Sequence, residues 1–252
     1  MGRRYARPPI VEALCEVLTT GSQWDATIPG LFYERVKDRF PKRGQRADLG
    51  IEVTLGPETP DARVTQREPR SQFSRDDGSR MVQVGRDLVV VNQLRPYPQF
   101  EEWRPEVLRA LDVYRELAKP AGVDRLGLRY INRVVVPETQ FPMERYFRIH
   151  PQVPRELGAS HGPFMLRLDL PASSGEHRLL ITFGSAPSDA GTTAFILDLY
   201  DMVGIGPREG FASLERRIDE AHANVEKAFE GAFTDSARDL FEGDALGRGR
   251  SA

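Results

Sequence analysis

A catalytic or metal site needs nucleophiles, bases or ligands at workable spacing. His150, His161, His177 and His222 form no i,i+2 or i,i+4 pair, so a metal site would have to be assembled from distant segments. Cys15 alternates with Ala13 and Val17 and reads as a small buried hydrophobe, not a nucleophile. As the only cysteine, it rules out an internal disulfide framework and any multi-cysteine zinc site. Ser185 and Ser188 sit in a loop, and Gly184-Ser185-Ala186-Pro187 is not a nucleophile elbow. The run Gly204-Ile205-Gly206-Pro207-Arg208-Glu209-Gly210 comes nearest to a dinucleotide fingerprint. Its third glycine comes one residue late and no strand follows the next helix, so it reads as a glycine-rich turn. Asp76-Asp77 belongs to a turn. No catalytic residue, cofactor or metal is expected.

Two sets of charged residues remain. Glu12 and Glu16 lie four apart on one strand and share a face, as do Arg129 and Arg133 on another. If these strands are antiparallel neighbours, the pairs oppose each other and help fix register, or they line a polar cleft for a ligand. Arg63, Arg67 and Arg70 are candidate partner contacts. They lie in or beside a segment, Gly56–Arg70, that reads as a long loop, and such loops are usually functional or disordered. The expectation is that it orders against an acidic surface through bidentate arginine contacts, although Asp61, Glu68, Asp76 and Asp77 keep the region mixed.

The elements that must position these residues follow from periodicity. Residues 9–19 alternate with period two after Pro8-Pro9. Three helices are predicted: Pro29–Phe40, Phe100–Ala118 and Phe211–Phe229. The second carries Trp103, Val107, Leu111, Tyr114 and Leu117 on one stripe; the third carries Leu214, Ile218, Ala221, Val225 and Phe229. Strands are predicted at Leu49–Leu55, on both sides of Asp76-Asp77-Gly78, at Leu88–Leu94, at Leu126–Val136, and at Phe164–Leu170, Arg178–Phe183 and Ala194–Val203. The pattern predicts one α+β domain over residues 1–242 with a disordered tail, 243–252. Within it, strand–helix–strands–helix runs twice, over about 8–120 and 123–242. A large curved antiparallel sheet with helices on one face, TATA-binding-protein-like or helix-grip-like, fits this order.

Composition sets the outer bounds. The 252 residues are 40% hydrophobic and 29% charged, and no apolar run approaches the ~18 residues of a membrane span. MGRRYARPPI has arginines without an apolar stretch after them, so no secretory signal is read there. With 35 basic and 37 acidic residues, the net charge of −2 argues against a protein held mainly by nucleic-acid phosphates. A cytoplasmic location is expected.

The segments PPIVEALCE, SRDDGSRMVQVGRDLVVVNQLRPYPQFEEW and DRLGLRYINRVVVP resemble a sporadically distributed, uncharacterised bacterial family of about 260 residues. Its members open with a Pro-Pro-Ile-x-Glu-Ala strand and carry a central Arg-Tyr-Ile-Asn-Arg strand. The resemblance implies a soluble bacterial protein and assigns no activity and no site residue. The functional expectation is therefore a non-catalytic binding or accessory protein acting on a protein partner or small ligand. An enzyme with its site dispersed over loops is one alternative, and a nucleic-acid binder using the arginine-rich N-terminal half is another.

Overall fold

The structure, a computed structural model, describes residues 3–46, 49–55, 60–66, 69–157, 162–171, 175–206 and 209–242. In chain order the strands and helices are β1 (Ile10–Thr20), α1 (Ile28–Val36), β2 (Lys42–Arg46), β3 (Leu49–Leu55), β4 (Pro60–Gln66), β5 (Arg70–Ser74), β6 (Arg80–Gly85) and β7 (Leu88–Leu94). Then follow α2 (Phe100–Ala118), β8 (Gly122–Val136), β9 (Met165–Pro171), β10 (His177–Ala186), β11 (Thr193–Gly204), α3 (Leu214–Ala232) and α4 (Asp235–Glu242). Nine strands form one antiparallel sheet in the order β2-β5-β6-β7-β1-β8-β11-β10-β9, and β3 pairs with β4 alone. The fold is α+β with a large antiparallel sheet, as the turn-punctuated strand pattern predicts. Among the described residues no helix is long and apolar enough to cross a membrane.

The chain divides into two compact units. The larger holds Met1–Cys15, Leu94–Tyr97 and Arg125–Ala252; the smaller holds Glu16–Gln93 and Pro98–Asp124. In the larger unit, β8 alternates from Leu128 to Val136, and Leu126 falls on the same face. Leu126, Leu128, Tyr130, Asn132, Val134 and Val136 are buried on one face, opposite Val203, Asp201, Leu199, Leu197, Phe195 and Thr193 of β11. Helix α3 packs on β11 and β10 through Leu214, Ile218, Ala221 and Val225, the predicted stripe. Phe147 centres an aromatic cluster, 4.9 Å from the rings of both Phe183 and Phe195. In the smaller unit, α2 buries Trp103, Val107, Leu111 and Tyr114, and the Tyr114 hydroxyl donates to the Gly85 carbonyl at 3.0 Å.

Two expectations need correction, and one strand has no signal in the sequence. Helix α1 stops at Val36, four residues early, although Phe40 is still buried and its N–H donates to the Val36 carbonyl at 2.9 Å. The segment Gly56–Arg70 is not one long loop: Pro60–Gln66 is a strand paired with Leu49–Leu55, and Arg70 opens β5. The signal was present, since Ala62 and Val64 alternate with polar residues opposite a predicted strand. Strand β2 escaped notice because Lys42–Arg46 has no apolar alternation and is exposed throughout.

Gly127 is buried because the Tyr200 ring lies across it from the neighbouring strand. A Cβ at Gly127 would sit 2.5 Å from Tyr200 Cε2 and Oη. Gly127→Ala should therefore cost about 1 kcal/mol, at the low end of overpacking because the ring tip can swing away. In a Tyr200→Ala background the same change should cost close to nothing. Chemical denaturation of the four chains measures this; equal costs in both backgrounds would show that the ring does not impose the glycine.

Candidate functional site

Charged side chains on apolar faces are costly unless paired, so they mark where the fold spends polar chemistry inside itself. In the smaller unit, Arg80 shares a face of β6 with Val82 and Val84, and Glu106 sits on the buried stripe of α2 between Trp103 and Ala110. Both are buried. Glu106 Oε1 receives Arg39 directly and lies 3.6 Å from Arg75 Nη2 and 3.7 Å from Arg80 Nη1. Glu106 Oε2 is buried with no hydrogen-bond partner. Arg80 Nε is held by Gln93 Oε1 at 2.5 Å, and Gln93 Nε2 donates to the Ser79 carbonyl at 3.1 Å.

Three guanidiniums thus converge on one carboxylate oxygen. Burial lowers the Arg80 pKa, and the fields of Arg75 and Arg39 push the same way, against Glu106 and Glu102. The site is under-neutralised. Arg39 and Arg75 keep 44% and 34% of their side chains exposed, so this excess charge opens to solvent. Lys42 adds a further cation nearby, its ammonium donating to the Asp76 carbonyl at 2.5 Å. No cofactor is implied by these residues; the arrangement suits an anion.

The larger unit holds two buried polar chains between sheet and helix. His177 Nδ1 meets Asp201 Oδ1 at 2.5 Å, and its Nε2 lies 3.4 Å from Glu220 Oε2. Asp201 Oδ2 accepts from Asn224 at 3.0 Å. Buried Arg217 then joins Glu176, Glu209 and Glu220. The hydrogen bond to Asp201 raises the His177 pKa over the opposing effect of burial, with Glu220 adding to the rise. Burial works to raise the Glu220 pKa, but bonds from Arg216, His177 and Arg217 win and hold it low. In the second chain, the Tyr130 hydroxyl lies 2.9 Å from that of Tyr97 and 3.2 Å from His222 Nδ1. Burial first, then Tyr97, Cys15 and Glu226, drives the Tyr130 pKa well up, so it remains a neutral phenol. His222, half-buried on α3, thus lies within reach of the buried Tyr130 hydroxyl.

Arg129 lies on the opposite face of β8. It is bound to Asp198 by two bonds of 2.8 and 2.6 Å, and its guanidinium stands 5.9 Å from the centre of the Tyr200 ring. Its pKa is raised, chiefly by Asp198 and with Glu12 contributing. Arg133 donates to the Pro187 carbonyl at 2.7 Å, and Glu16 is half-buried on β1. The carboxylate that sequence reasoning missed is Asp198. Arg63 lies opposite Glu52 in the β3–β4 register, Arg70 lies opposite Arg46, and Arg67 falls outside the described residues. The Ser188 hydroxyl donates to the Thr192 carbonyl. Among the described residues no group of three His, Cys, Asp or Glu side chains is placed to hold a metal ion.

No protein-family model and no curated protein matches the chain. Among solved structures, the di-domain ARO/CYC StfQ from the steffimycin biosynthetic pathway aligns over 94% of this chain and 99% of its own, at 11% identity and a TM-score of 0.17. A likeness of that degree carries no argument about fold or activity.

The His177 cluster makes stability depend on pH in a definite direction. A histidine whose folded pKa is raised contributes stability that is complete below its unfolded pKa of about 6.5 and lost as pH rises through the folded value. Urea denaturation from pH 6 upward should show stability falling through that window in the native chain. The His177→Asn variant should lack that component of the slope. Parallel pH profiles for the two chains would mean that His177 is not the titrating group.

Proposed function

We propose that the protein is a non-catalytic binding protein whose smaller unit takes up a small oxyanion of the phosphate class between Arg39 and Arg75. The observation that carries this is the convergence of three guanidiniums on one oxygen of Glu106. A guanidinium presents five N–H donors in a planar fork, and one carboxylate oxygen cannot occupy three such forks. Arg39 and Arg75 are partly exposed and have donors to spare, beside a buried Arg80 whose charge is only partly offset. A phosphate oxygen set matches that fork geometry. Glu106 acts as an internal anion that holds the arginines together and competes with the ligand. The family resemblance fits a bacterial cytoplasmic setting.

Thermal unfolding in inorganic phosphate, against chloride at matched ionic strength, tests the reading. The expected result is a saturable stabilisation, about 2.7 kcal/mol when phosphate reaches 100 times its Kd. It should disappear in the R39A/R75A double variant. E106Q should unfold more easily yet bind phosphate more tightly, because the competing carboxylate charge is gone. Stabilisation that chloride matches, or that survives R39A/R75A, would rule the site out.

A further inference from the structure

Strand β9 stands at one end of the nine-strand order, so one of its edges has no strand beside it among the described residues. The direction of its backbone groups can be read from its pairing with β10. Ser185 N–H donates to the Phe164 carbonyl at 3.0 Å, and Phe164 N–H donates to Ser185 Oγ at 3.2 Å. Backbone groups alternate in direction along an antiparallel strand. Leu166, Leu168 and Leu170 therefore address β10, while Met165, Arg167 and Asp169 turn their N–H and C=O groups to the open edge. Pro171 offers a carbonyl only.

The side chains on this edge are apolar in an unusual degree. Leu166, Leu168 and Leu170 stand opposite Phe183, Ile181 and Leu179, continuing the core face of β10 out to the last strand. There Leu170 is 41% exposed, and on the other face Met165 is 79% exposed. A long apolar edge of this kind is a template for another strand.

We propose that β9 pairs antiparallel with β9 of a second copy of this chain, about a two-fold axis through Leu168. The sequence Met-Leu-Arg-Leu-Asp-Leu-Pro is self-complementary in that register. Arg167 of each copy faces Asp169 of the other, Leu166 faces Leu170, and the two Leu168 side chains meet on the axis. The outward N–H and C=O groups of Arg167 and Asp169 then face each other and close the ladder. Moving the axis by one residue brings Arg167 against Arg167 or Asp169 against Asp169, and like charges directly opposite are unfavourable. Charge thus selects one register, and an isologous contact of this kind closes as a dimer. Asp169 is already bonded to Arg178 in its own chain, but a carboxylate has a second oxygen and spare lone pairs for Arg167 of the other copy.

Sedimentation equilibrium of the full chain, with amide hydrogen exchange, tests this. The native protein should be a dimer, and the amides of Arg167 and Asp169 should exchange more slowly as concentration rises. R167D and D169R, each checked as folded by circular dichroism, should each weaken dimerisation roughly tenfold or more, while R167K should retain it. An equimolar mixture of the R167D and D169R chains should form heterodimers, because every facing pair is then opposite in sign. A monomeric native chain with unprotected amides at 167 and 169 would overturn the proposal. So would a dimer that R167D leaves intact, or a mixture that stays monomeric.

Discussion

Asp201 has no access to water, and the packing of α3 on the sheet of the larger unit depends on how its charge is met. An isolated buried carboxylate would be strongly unfavourable, so both of its oxygens need donors. One comes from His177 on the next strand and the other from Asn224 on α3. The second donor can arrive only if α3 lies at one position along β11. Apolar contacts from Ile218, Ala221 and Val225 favour burial without choosing among neighbouring registers of helix on sheet. The polar chain makes that choice, and Arg217 extends it to Glu176 and Glu209, the residues that lead into β10 and into α3.

The smaller unit meets the same constraint with the opposite sign. There the surplus is positive: Arg80 is buried beneath α2 and shares one carboxylate oxygen with Arg39 and Arg75. In the larger unit the buried polar groups are largely satisfied by one another. In the smaller one Glu106 Oε2 is left without a partner and two guanidiniums reach solvent. A satisfied network holds elements in register; an under-neutralised one has interaction capacity left for a ligand. This difference separates a structural role for His177 and Asp201 from the binding role proposed for Arg39 and Arg75.

Much of this architecture was legible in the residues. Alternation in β8 and β11, the stripes of α2 and α3 and the turn at Asp76-Asp77-Gly78 each reflect local geometry that a sequence displays directly. Strand β2 was not legible, because pairing with β5 and not its own apolar pattern makes it a strand. The sites were harder for a different reason. Arg80 among valines, Glu106 on a tryptophan stripe, Asp201 after Leu197 and Leu199, and Arg217 beside Ile218 are each visible as a charge on an apolar face. Which charge meets which depends on elements far apart in the chain, and spacing alone cannot supply that. Arg129 illustrates the limit: its place on the face away from Leu128 and Tyr130 follows from alternation, but Asp198 as its partner requires the β8–β11 register.

The two ends of the strand order treat an open edge in opposite ways. Strand β2 is Lys-Arg-Gly-Gln-Arg, exposed along its whole length, and two copies brought together could not pair opposite charges in any register. Strand β9 carries one charge of each sign, flanked by leucines and placed symmetrically about Leu168. If solubility alone governed edges, both would carry the protection seen in β2. An edge that instead retains exposed Met165 and Leu170 and balanced charge is suited to being covered, and its own sequence supplies a complementary cover.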